Sequence, residues 1–87
     1  MEKVDAIKDL CSDLIFYPVF FNQDIATHLM VSAGLIENDI TRSGCDDWFN
    51  RGMIETARYI RENVASCSDR TLDDVYFLLL QMSGTVH

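Results

Sequence analysis

Cys11, Cys45, Cys67 and His28 are the internal side chains of this chain best suited to nucleophilic or metal chemistry, and His87 stands at the last position. A catalytic Cys–His pair is assembled in space rather than in sequence, so His28 with any of the three thiols is a formal candidate. The competing reading makes His28 a helix-face residue at the margin of the core. An odd number of widely spaced cysteines without a CxxC fits reduced core thiols better than a disulfide framework or a zinc site. His28 has no ligand partner four residues on, so a helical metal pair lacks support. The acid pairs Asp46–Asp47 and Asp73–Asp74 are adjacent in sequence, and neighbours on a helix do not face each other. Both fall where a first helical turn is expected, and carboxylates there complement the helix dipole. The glycines stand apart at 34, 44, 52 and 84, with no phosphate-cradling loop and no G-x-S-x-G elbow. The expectation is a protein that is not an enzyme and uses no cofactor or metal.

Charge narrows the classes further. Fourteen Asp and Glu against seven Lys and Arg leave a net charge of −7. That balance disfavours binding to nucleic-acid phosphates or anionic lipid and favours, as partner, a larger protein with a basic surface. The cations are unevenly placed: only Lys3 and Lys8 precede residue 42, and Arg42, Arg51, Arg58, Arg61 and Arg70 follow. An anion site belongs in the second half. No apolar run approaches the roughly 20 residues of a membrane span, and the start "MEKVDAIKDL" has neither a basic n-region nor an apolar h-region. The expected location is the cytoplasm, or the host cytoplasm for a phage-encoded chain.

The elements that would position these residues read as helices. Val4, Ile7, Leu10 or Cys11, and Leu14 recur at three- and four-residue steps with charges between them, which predicts a helix over about 3–16 that Pro18 ends. Asn22 is an N-cap candidate for a second helix over about 23–33 that stops near Gly34. "GLIENDITRSG" then reads as a connector with one extra turn at "LIEND". Ser43 and Asp46 form a capping-box pattern for a third helix over about 44–65 with the stripe Phe49, Met53, Thr56 or Ala57, Ile60 and Val64. On its outer face Arg51 precedes Glu55, and Arg58 precedes Glu62, by four residues. Thr71 and Asp74 repeat the capping pattern before a fourth helix over about 72–82. The fold class is all-α, a compact bundle of four short helices in a single domain spanning 1–87.

At 87 residues such a domain buries only about 60–65% of the surface its unfolded chain exposes, so oligomerisation is a natural supplement. The fourth helix, "LDDVYFLLLQM", is apolar almost all round and needs cover. "LIFYPVFF" crowds aromatics around the single proline in a linker too short to bury them. Tyr17, Phe20, Phe21, Tyr76 and Phe77 are therefore interface candidates, Trp48 is a core aromatic or a further candidate at an interface edge, and a homo-oligomer is expected.

One stretch bears a family resemblance. "ARYIRENVASCSDRTLDDVYFLLLQM", about a third of the chain, resembles the helical hairpin of the phage proteins that sequester cyclic nucleotides, the anti-CBASS and anti-Thoeris sponges. Ile60, Arg70, Thr71, Leu72 and Met82 fall at matching spacing, with Thr71 where the family has serine. The chain departs from that family in reading "DDVYFLLLQM" where a "TKLEEA" segment stands. The resemblance implies Arg70 as a phosphate contact and Thr71 as a hydroxyl donor. By composition alone the chain is also similar to small acidic phage inhibitors of the anti-CRISPR type. The two functional expectations are thus a helical protein that blocks or recruits a larger protein, such as a host CRISPR–Cas defence complex, and an oligomeric sponge for a cyclic nucleotide.

Overall fold

A computed structural model of the chain describes residues 2–40 and 52–86, the side chains of 20 and 83–86 excepted. Within them lie four α-helices: α1 (Glu2–Phe16), α2 (Gln23–Asp39), α3 (Met53–Asn63) and α4 (Asp69–Val86). Short 3-10 turns at Pro18–Phe20 and Val64–Ser66 follow α1 and α3. Each helix turns one apolar stripe inward: Val4, Ile7, Cys11 and Leu14 from α1; Ile25, Leu29, Ala33 and Ile36 from α2; Ala57 and Ile60 from α3; Leu72, Val75, Leu79 and Met82 from α4. The expected all-α bundle is the observed one.

Its principal contacts join α1 to α3 and α4, and α2 to the same two helices. Lys3 forms an ion pair with Asp73, so the starts of α1 and α4 lie side by side. Asp39 accepts a hydrogen bond from the Ser68 backbone N–H, which ties the end of α2 to the start of α4. Two helices that begin together and pack along each other run in the same direction. Hence α1 and α4 run one way, and α2 runs against them.

Local chemistry explains most boundaries. Pro18 ends α1, and the Tyr17 N–H still donates to the Asp13 carbonyl at 2.9 Å. Asn22 caps α2 as expected, its Oδ1 accepting from the Ile25 N–H at 3.0 Å.

Three boundaries correct the sequence reading. Helix α2 does not stop near Gly34 but runs to Asp39, so "LIEND" is its last turn rather than a separate one. A glycine inside a helix costs about 1 kcal/mol against alanine, and the fully buried Ala33 and Ile36 on either side of it outweigh that. The helix expected over 44–65 is not continuous, because Gly52 has φ 96° and ψ 179° and helix begins only at Met53. Residues 43, 46 and 49 of that reading lie outside the described residues. Helix α4 starts at Asp69, three residues before the expected 72, and runs on to Val86, four past the expected 82. Its cap is Ser68, whose Oγ accepts from the Thr71 N–H at 3.3 Å, and Thr71 is itself helical.

Gly34 and Gly52 predict opposite outcomes. A Cβ at Gly34 meets nothing within 4 Å, so Gly34→Ala raises stability by about 0.5–1 kcal/mol through the unfolded chain's lost freedom. A Cβ at Gly52 also meets open space, yet its backbone conformation is one that L side chains rarely adopt, so Gly52→Ala costs about 1–3 kcal/mol. Urea unfolding of the two variants checks both signs.

Candidate functional surface

The two described thiols, Cys11 and Cys67, are both shifted away from the thiolate form. Cys11 is fully buried, and burial drives its pKa from 9.0 up to about 12, with the Arg61 charge pulling weakly the other way. Cys67 is pushed up to about 11 by burial and by the Asp39 carboxylate, and its Sγ lies 3.6 Å from the Asn63 carbonyl oxygen. A nucleophilic cysteine needs the opposite shift. His28 sits near the start of α2 with Nδ1 2.7 Å from the Asp24 carbonyl oxygen of its own helix. Among the described residues no three His, Cys, Asp or Glu side chains gather as a metal set. Asp73 of the second acid pair is engaged by Lys3. Cys45, Asp46 and Asp47 lie outside the described residues.

The interface candidates divide by exposure. Tyr17 is 56% exposed, and its neighbours Phe16 and Val19, not singled out from the sequence, are more so at 76% and 82%. Phe77 is 61% exposed on the outer side of α4. Phe21 and Tyr76 instead pack against the core, and Lys3 Nζ stands 5.9 Å from the Tyr76 ring centroid, within cation–π range. Trp48 and the side chain of Phe20 lie outside the described residues. Phe16 had a sequence signal: it stands three residues past Asp13 and seven past Asp9, in phase with the polar face of α1 rather than with Leu14.

Arg70 is exposed in the first turn of α4, and Thr71 beside it is half-buried. The Thr71 hydroxyl is 3.2 Å from the Ser68 hydroxyl, which already engages the Thr71 N–H. Ile60, Leu72 and Met82, the other positions of the sponge resemblance, are core residues. The arginine ladder expected on the third helix also differs. Arg58 pairs with Glu55 rather than Glu62, while Arg51 lies outside the described residues.

Arg61 Nε donates to Ser12 Oγ at 2.9 Å across the α1–α3 seam. Beside this bond Ser12, Ile15, Phe16, Arg58, Arg61 and Glu62 line an open groove of about 340 Å³. The surface therefore offers an aromatic tip at the end of α1 and a groove that combines apolar walls with two guanidinium groups and the Glu62 carboxylate. None of its helices in the described residues is long and apolar enough to cross a membrane. Comparison with protein-family models, with curated proteins and with solved structures finds no match to this chain.

Proposed function

We propose that this chain is a non-enzymatic binding protein that blocks or recruits a larger protein carrying a basic surface, as phage-type inhibitors of host defence complexes do. The observation that carries the reading is the tip after α1. Tyr17 and Val19 are held outward on a hydrogen-bonded 3-10 turn instead of covering the core. Exposed aromatic and branched side chains on an ordered turn pay little entropy on docking. Acidic residues along the adjoining helix, Glu2, Asp5, Asp9 and Asp13, add electrostatic steering toward a basic partner.

The test is affinity capture from host lysate with wild type and with the Tyr17→Ser, Val19→Ser double variant. A stoichiometric partner is expected with the wild type. The variant loses it at least tenfold while keeping its helical circular dichroism, because both side chains are exposed. Retention of the partner by the variant removes the tip from the reading. A cyclic dinucleotide that raises the melting temperature, with the shift abolished by Arg70→Ala, replaces the reading with the sponge.

A further inference from the structure

We propose that the last turn of α2 is a hinged latch: the helix either runs to Asp39, as it stands here, or ends at Ala33 with Gly34 as its cap and residues 35–40 released. Three local signals oppose the long form. Ser32 is fully buried, yet its hydroxyl has no hydrogen-bond partner, whereas Thr56, the other buried polar side chain among the described residues, donates to the Gly52 carbonyl at 2.8 Å. A buried hydroxyl left unpaired destabilises the state that buries it. Gly34, two residues on, is a poor helix former where it stands and the preferred residue just past a helix end. Beyond it the last turn carries Glu37 and Asp39 and no cation, so two carboxylates sit at the negative end of the helix dipole.

What holds the long form is tertiary. Ile36 is fully buried, and Asp39 accepts from the Ser68 N–H at the start of α4. Both lie beyond Gly34, so unwinding at that residue breaks them together. The turn is therefore two-state rather than gradually frayed. Unwinding also relieves each opposing signal: the Ser32 hydroxyl reaches water in what becomes the final turn, Gly34 takes the left-handed conformation that helix ends favour, and the carboxylates leave the dipole. Serine and glycine close together are a pairing at which helices bend. A helix that local preference ends and tertiary contact extends is where a second conformation lies nearest in free energy. The open form withdraws Ile36 from the core and frees the Ser68 N–H. A molecule that takes either group binds the open form alone and shifts the population toward it.

The experiment is amide hydrogen exchange of the full chain, followed by NMR where exchange reports opening equilibria. The amides of residues 36–40 share one protection factor, about thirtyfold or more below those of Leu29 and Leu79, with the step at Gly34. An ordinary frayed end gives instead a gradient that falls residue by residue toward Ile40. Gly34→Ala raises the shared value about fivefold, the equivalent of glycine's deficit in a helix. Ser32→Ala raises it by about threefold or more, because no hydroxyl is then buried unpaired. Neither substitution removes a contact that holds the fold, so both variants keep the wild-type helical signal. A gradient in place of the step, protection at 36–40 equal to that of Leu79, or values at 36–40 that neither substitution raises overturns the latch.

Discussion

Ile60→Ala lowers the stability of this protein by about 3 kcal/mol and its melting temperature by about 15 °C, the largest loss expected from any single truncation in α3. Ile60 is completely buried, in the second half of an 11-residue helix. A helix that short does not hold together alone in water and depends on the neighbours it packs against. Both α1 and α2 pack on α3, so the cavity left by Ile60 opens where three helices meet. A chain of this length has a total stability of roughly 4–13 kcal/mol, so the loss is a large fraction of it. Thermal melts followed at the helical signal measure the effect. Val19→Ala, at the exposed tip, is the control and changes stability by less than about 0.5 kcal/mol. If the two variants melt alike, Ile60 is not the core residue described here.

Ile60 also shows which features the sequence displays openly. The inward stripes repeat every three or four residues in α1, α3 and α4, and hydrophobic periodicity is a property of the sequence itself. The Asn22 cap is equally local. Boundaries failed where two signals compete and only tertiary structure decides. Gly34 is a stop signal by propensity, but the burial of Ala33 and Ile36 carries α2 through it. The stripe through Met53 suggests continuity, yet a positive φ at Gly52 breaks it, and no residue type announces the sign of φ. Ser68 and Thr71 are both hydroxyl residues followed three residues later by a polar side chain. The bond from the Ser68 N–H to Asp39, 29 residues away, distinguishes them. The functional surface was less readable for the same reason. Ser12 and Arg61 are 49 residues apart, and nothing short of the fold joins them. The aromatic crowding around Pro18 was visible, but which of its side chains turn outward depends on the 3-10 turn that follows α1.

Alkaline pH separates wild type from Cys11→Ala, and the difference changes sign. In the folded protein the Cys11 thiol has its pKa pushed up to about 12, against 9.0 in an unperturbed chain. Below pH 9 both states hold the proton, and the buried neutral thiol contributes its full packing. As pH rises from 9 toward 12 the unfolded chain releases that proton while the folded one keeps it, so unfolding becomes easier by up to about 1.4 kcal/mol per pH unit. Over the whole interval the loss is of order 4 kcal/mol, and it is complete once pH passes through the folded value. Cys67, raised to about 11, acts in the same direction with a smaller effect because it is only half-buried. The alanine variant loses the sulfur's contacts and is less stable by about 1 kcal/mol at pH 7. It also loses the titration, so its stability falls less steeply above pH 9. The two curves therefore cross near pH 10, beyond which the variant is the more stable protein. Every other titrating group is common to both proteins and cancels in the difference. Urea midpoints from pH 7 to pH 11 under reducing conditions measure the crossing, and parallel curves would show that the Cys11 thiol ionises as readily in the folded protein as in the unfolded chain.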